Sequence, residues 1–256
     1  MDRERLETLF DLTGRVAIVT GGTRGIGRAV AEGFVAAGAK VVVASRKADA
    51  CDETAEHLRA MGGEAIGVPT HMGSLEDLGT LVDRTVDEFG GIDIVFNNAA
   101  NALALPHGQL TPEAWQKSFE VNVRGPVFLV EAALPHLRAS GRASIINMIS
   151  VGAFTFSATM SLYAQGKAAL LAATRAMAAE MIGDGIRVNA IAPGAIDTDM
   201  VRNNHEAVQD VMKNLAMMRR FGTADEIVGP ALLLASDAGS FITGQVIVVD
   251  GGSHPY

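Results

Sequence analysis

Tyr163 and Lys167 stand four residues apart in a stretch, 161 to 182, whose pattern predicts a helix, so their side chains share one face. A free tyrosine, with a pKa near ~10, is a poor base at neutral pH. A lysine cation beside it favours phenolate and lowers that pKa. Such a pair delivers a proton to an oxygen or takes one away, the task of a general acid or base. Ser150, at the end of the predicted strand ASIINMIS, is placed to hold the oxygen concerned.

A second group of residues suits a dinucleotide. Thr20-Gly21-Gly22-Thr23-Arg24-Gly25-Ile26-Gly27 lies between a predicted strand, 15 to 20, and a predicted helix, 24 to 38. The spacing is not G-x-G-x-x-G: Gly21 is followed by three residues, Gly25, one residue and Gly27. Glycine at such a turn lets the chain reverse sharply and bring its backbone against a pyrophosphate, whose charge meets helix N-terminal N–H groups. Where many dinucleotide folds place an acid for the adenosine ribose, at the end of the second strand, this chain has Ser45, then Arg46 and Lys47. No carboxylate there repels a 2′-phosphate. Arg46 can grip one with a bidentate fork, and Arg24 can converge on it. The expected cofactor is NADP(H), with NAD(H) as the alternative.

The elements that must position these groups follow from the apolar rhythm. Short β-branched runs at 15–20, 40–45, 64–70 and 92–98 alternate with helical patterns at 24–38, 48–61 and 74–89. Beyond them come a helix from about 112 to 140, the strand 143–150, the 161–182 helix, the strand 186–192 and a last strand at 245–250. Strands alternating with helices predict a parallel sheet, and continuous apolar strands fit a sheet covered on both faces. The fold class is therefore α/β, a single doubly wound Rossmann-type domain over 13–256 with a seven-stranded parallel sheet, preceded by a polar extension at 1–12. Two segments, 100–111 and 194–222, follow strand carboxyl ends, where open α/β sheets bind ligands. The second contains Met200, Val201, Met212, Leu215, Met217 and Met218, which read either as ordinary amphipathic packing or as a substrate lid.

Composition narrows the partners. A net charge of −8 argues against a nucleic-acid surface, and no apolar run is long enough to span a bilayer. The N-terminus MDRERLETLF does not read as a secretory signal, and the single Cys51 fits a reducing compartment, so a cytoplasmic protein is expected. The six histidines form no ligand-like cluster, and no catalytic metal is expected.

Taken together, TGGTRGIG at 20–27, NNAA at 97–100, Asn122, Ser150, YAQGK at 163–167 and PGAIDT at 193–198 resemble the short-chain dehydrogenase/reductase family, over almost the whole chain. The resemblance implies strand order 3-2-1-4-5-6-7, usually a homotetramer, and hydride transfer between nicotinamide and a ketone or secondary alcohol. Tyr163 would then be the acid/base, Ser150 would hold the substrate oxygen, Lys167 would also bind the nicotinamide ribose, and Asn122 would anchor a relay water. Asn98, Ala99 and Ala100 would face the cofactor near its nicotinamide, and Pro193, Gly194, Ile196 and Thr198 would close over it. Two departures stand out. Ala100 replaces the usual glycine, and His71-Met72 replace an acid that contacts adenine, leaving backbone contacts there. Phe154, Phe156 and Met160, with the Met-rich segment, suggest an apolar pocket. A rival substrate is a 3-oxoacyl carrier protein; Asp184 then sits where such reductases tend to have a base, with Arg138 and Arg142 as substitutes. A non-catalytic dinucleotide sensor is the alternative of a different class, against which the intact Tyr, Lys and Ser set argues.

Overall fold

The computed structural model describes residues 2–155 and 158–254; Phe156 lies outside them. Seven parallel strands form one sheet in the order β3-β2-β1-β4-β5-β6-β7, as expected. They are β1 (Val16–Thr20), β2 (Lys40–Ser45), β3 (Ala65–Pro69), β4 (Ile94–Asn97), β5 (Ser144–Met148), β6 (Arg187–Pro193) and β7 (Val246–Val249). The helices are α1 (Arg3–Leu9), α2 (Gly25–Ala36), α3 (Ala48–Ala60), α4 (Leu75–Phe89), α5 (Pro112–Phe119), α6 (Gly125–Ser140), α7 (Ser161–Met181), α8 (Asp199–Arg202), α9 (Glu206–Leu215) and α10 (Val228–Ala235).

Alternation along each strand feeds two cores. Ala17 and Val19 of β1 join Val41 and Val43 of β2, under Phe34 of α2 and Leu58 of α3. Ile18 and Val42 point the other way, into Leu81 of α4, Leu129 and Leu137 of α6, and Met177 of α7. Helices on both faces of a parallel sheet are the doubly wound arrangement.

The stretch 112–140 is not one regular helix. Between α5 and α6, residues Glu120–Arg124 form a π-helical turn, and the Gly125 N–H reaches back to the Glu120 carbonyl. Pro126 supplies a reason, since it lacks the N–H that would bond the carbonyl of residue 122. Such turns often mark functional sites, and this one carries Asn122.

The segment 194–222 is an excursion with pinned ends. Asp197 N–H donates to Gly222 O at 2.8 Å, and Gly222 N–H to Ala195 O at 3.0 Å. Between them α9 buries none of its residues, and Met200, Leu215, Met217 and Met218 are exposed. Among the described residues no helix is long and apolar enough to cross a membrane.

Candidate active site

The carboxyl ends of β1, β4, β5 and β6 bring the candidate residues to one edge of the sheet. The turn after β1 is built around its glycines. Gly21 and Gly25 have φ of +64° and +52°, and a Cβ on Gly27 would lie 2.2 Å from Gly21 O. Only glycine at 27 lets α2 start this close to the turn. Thr20 and Asn98 clasp it. Asn98 Nδ2 donates to Thr20 O and Gly21 O at 3.0 and 3.2 Å, while Thr20 Oγ1 accepts from the Asn98 and Ala99 N–H groups at 3.0 and 3.1 Å. The Asn98 side chain is thus committed to shaping the turn. Thr20, absent from the sequence-predicted site, is its hub; its signal was only its position ahead of Gly21.

Beyond the turn, Thr23 Oγ1 donates to Ser45 Oγ at 3.2 Å. Arg46 is exposed and makes no side-chain hydrogen bond or ion pair with the described residues. Arg24 is tied to Asp199 of α8 at 3.1 Å. Ile26 packs partly buried against the core, so its place in the turn is a backbone one. Met72 is likewise a core side chain, and the His71 N–H is taken by Asp77 Oδ2 at 2.8 Å. That amide is therefore engaged within the loop, and an adenine contact from 71–72 would fall to the rest of their backbone.

On the other flank, Gly194 follows Pro193 so closely against the chain after β7 that a Cβ would stand 2.8 Å from Asp250 Cα. The Ile196 side chain is buried in the core, and its carbonyl accepts from Thr198 Oγ1 at 3.3 Å. Thr198 Cγ2 lies 3.1 Å from where a Gly25 Cβ would be, so the 194–198 loop abuts the glycine turn. Ala100 and Asn101 lie in the loop that leaves β4. Asn122, fully buried, grips that loop: its Oδ1 accepts from Asn101 N–H at 3.1 Å, and its Nδ2 donates to Asn101 O at 2.9 Å. Asn122 also packs on α7, its Cβ 3.1 Å from where a Gly166 Cβ would sit, between Tyr163 and Lys167.

Lys167 is 2% exposed, and its Nζ donates to Met148 O at the end of β5 at 2.6 Å. Burial in this apolar setting lowers its pKa from 10.5 to about 8. Nζ lies 5.5 Å from the centroid of the Tyr163 ring. Burial raises the Tyr163 pKa, and a hydrogen bond with Ser150 pulls it partly back. The expectation that Lys167 would lower it is corrected here. Nζ sits over the ring and spends a proton on Met148 O, so desolvation of the phenol prevails. Ser150 Oγ also accepts from Gly152 N–H at 3.1 Å, which fixes the hydroxyl at the start of the loop.

A Tyr, Lys and Ser set beside a glycine turn, at the carboxyl edge of a doubly wound sheet, is the arrangement of a Rossmann-type oxidoreductase. The comparisons agree. A family model described as enoyl-(acyl carrier protein) reductase matches residues 21–254. The Short-chain dehydrogenase/reductase SDRA of Arabidopsis thaliana is 38% identical over 94% of this chain and 95% of its own. Among solved structures, the RhlG/NADP active-site complex of Pseudomonas aeruginosa is 34% identical with a TM-score of 0.92, covering 97% of this chain and 99% of that one. A 7α-hydroxysteroid dehydrogenase complexed with NADH and 7-oxo glycochenodeoxycholic acid is 32% identical with a TM-score of 0.94, over 98% of both chains. The chain belongs to the short-chain dehydrogenase/reductase family. It is an oxidoreductase acting on CH–OH or carbonyl groups with a nicotinamide dinucleotide.

Proposed function

We propose that the protein is an NADP(H)-dependent reductase of a ketone, working reversibly on the secondary alcohol. The observation that carries this reading is the convergence of Ser150, Tyr163 and a buried Lys167 at the sheet edge. The cradle fits a dinucleotide, because the Gly27 contact leaves no room for any side chain between turn and helix. Gly21, Thr23, Arg24, Gly25, Ile26 and Gly27 would hold the pyrophosphate and Ser45 and Arg46 the 2′-phosphate. Ala99, Ala100, Pro193, Gly194, Ile196 and Thr198 would flank the nicotinamide, with Lys167 on its ribose. When bound, the nicotinamide supplies the hydride for the carbonyl carbon or accepts it in the reverse direction.

The chain's own residues manage the oxygen. Tyr163 Oη, kept protonated by its raised pKa, gives its proton to the developing alkoxide. Ser150 hydrogen-bonds the same oxygen and holds it in line. Lys167, with a pKa of about 8 and its Nζ 5.5 Å from the ring centroid, can return the proton to the resulting phenolate. Asn122 fixes the 101 loop and the spacing of α7 behind them. The 194–222 segment would close over the substrate, with Phe154, Met160 and its methionines making an apolar wall.

The family description names a carrier-protein enzyme, yet the basic residues offered for a carrier do not suit it. Arg138 pairs with Asp184 at 2.7 Å, and Arg142 Nη2 donates to Gly14 O at 3.1 Å. Arg138 in the last turn of α6 and Arg142 just after it lie at the amino end of the sheet, opposite the site, so a small free carbonyl is the better substrate. A cytoplasmic homotetramer completes the proposal. The test is loss of NADPH absorbance with a panel of ketones. Tyr163→Phe should lower kcat by about 100- to 10,000-fold, the worth of general acid catalysis, with NADPH affinity little changed. Turnover retained by that variant would overturn the mechanism.

A further inference from the structure

Past β7 the chain closes a tight turn over residues 250–254. Asp250 Oδ1 accepts from Gly252 N–H at 2.8 Å, and Oδ2 accepts from Ser253 Oγ and His254 N–H at 2.9 and 2.8 Å. Gly251 and Gly252 take φ of +63° and +79°, which glycine allows without strain. One carboxylate therefore organises the whole turn.

The turn touches three walls of the site described above. Its first residue crowds Gly194 in the loop assigned to the nicotinamide. Gly251 O accepts from Met218 N–H at 3.1 Å, and a Cβ on Gly252 would lie 2.7 Å from Met217 Cε, so the turn also rests on the base of the lid segment. Its last described residue, His254, stacks on Phe154 with ring centroids 5.9 Å apart and planes 13° from parallel. Phe154 is joined to Ser150 by one short turn: Ala153 N–H donates to Ser150 O and Phe154 N–H to Val151 O, both at 2.9 Å. The Phe154 ring packs in turn on a cluster that includes Leu170 and Leu171 of α7, the helix bearing Tyr163 and Lys167.

We infer that His254 is a positioning residue for Ser150, acting through Phe154, and that the 250–254 turn links the lid base to the serine loop. The inference rests on the carbonyl-reductase reading for its kinetic consequence, but its mechanical part does not. An aromatic ring on Phe154 limits how far the 151–154 turn can swing, and hence how far the Ser150 hydroxyl strays from Tyr163. The stacking contact calls for a flat ring at 254.

The test compares wild type with His254→Ala and His254→Phe in the full chain. Hydrogen–deuterium exchange reads the amides of 151–155. Steady-state kinetics use NADPH and an aryl methyl ketone as the probe, and NADPH affinity is taken separately from fluorescence. His254→Ala should speed exchange at 151–155 and lower kcat by about twofold to tenfold, the range of an aromatic pair, with NADPH affinity unmoved. His254→Phe should restore both. Asp250→Asn should loosen the same amides by slackening the turn. Wild-type exchange and kcat in His254→Ala, or no rescue by Phe, would overturn the inference. Should no carbonyl in a broad panel be reduced by wild type, the functional reading fails by itself, and the exchange measurements alone decide whether His254 braces the loop.

Discussion

At the scale of single residues, Lys167 carries a conflict between stability and chemistry. An ammonium is held at 2% exposure with one carbonyl as its recorded hydrogen-bond acceptor, and its pKa falls from 10.5 to about 8. Below about pH 8 it is charged in both the folded and the unfolded chain, and the folded chain bears the full desolvation cost. Between about 8 and 10.5 the folded chain has released the proton while the unfolded chain still binds it, so this cost fades as pH rises. A shift of this size corresponds to about 3 kcal/mol. Lys167→Met, which removes the charge but leaves Met148 O without its donor, should be inactive yet more stable than wild type at pH 7. Urea melts at pH 7 and pH 9.5 check the sign: the advantage should shrink at the higher pH. An advantage that grows with pH would contradict the burial argument. Arg46 works in the opposite regime, exposed and without a partner among the described residues, so its removal should cost the fold nothing. Losing a charged hydrogen bond is worth roughly 1.5–3 kcal/mol, and Arg46→Ala should lower kcat/KM for NADPH by at least about tenfold while sparing NADH. Equal losses with both cofactors would remove the case for a 2′-phosphate contact.

At the scale of elements, glycines separate fold from site. Gly27 opens α2 with no room for a Cβ, since backbone and the Asn98 amide surround it. Gly79 lies inside α4 with nothing within 4 Å. Gly27→Ala should lose cofactor binding and about 1–3 kcal/mol of stability by overpacking. Gly79→Ala should gain about 0.5–1 kcal/mol by helix propensity. Calorimetry of the two variants, with NADPH titration of each, checks both, and opposite signs are required. The strands were readable in the sequence because β-branched runs such as KVVVAS have few other options. That Tyr163 and Lys167 share one helix, and that the glycine turn joins β1 to α2, was readable because both follow from local spacing. What was hidden depends on contacts distant in sequence. The π turn at Glu120–Arg124 breaks a stretch that is helical by pattern, and Thr20 becomes a hub only when β4 lies alongside it. Met72 and Ile196 sit at cofactor positions of the motif, yet the apolar cores claim their side chains. The edge of the sheet at which Arg138 and Arg142 stand was hidden in the same way, because it follows from how α6 leads into β5.

At the scale of the whole molecule, the single chain exposes apolar surface on two separate flanks. Trp115 of α5, stacked on Phe119 at 4.1 Å, and Phe128 of α6 are each nearly half exposed. Phe241, ahead of the edge strand β7, is fully exposed. Scattered apolar residues are ordinary on a surface, but we propose that these large aromatics, on helices and ahead of a sheet edge, belong to contact faces. Two distinct faces suit a dimer of dimers, since closed dihedral symmetry needs at least two kinds of interface. The proposed homotetramer should therefore come apart in stages. Light scattering should find about four chain masses for wild type, Phe128→Glu should weaken one face and Phe241→Glu the other, and the double variant should run as a monomer. Each chain brings a net charge of −8, so assembly works against mutual repulsion, and moderate salt should tighten it by screening. A wild-type chain that scatters as a monomer at all salt concentrations would leave these aromatics without a partner face and end the tetramer proposal.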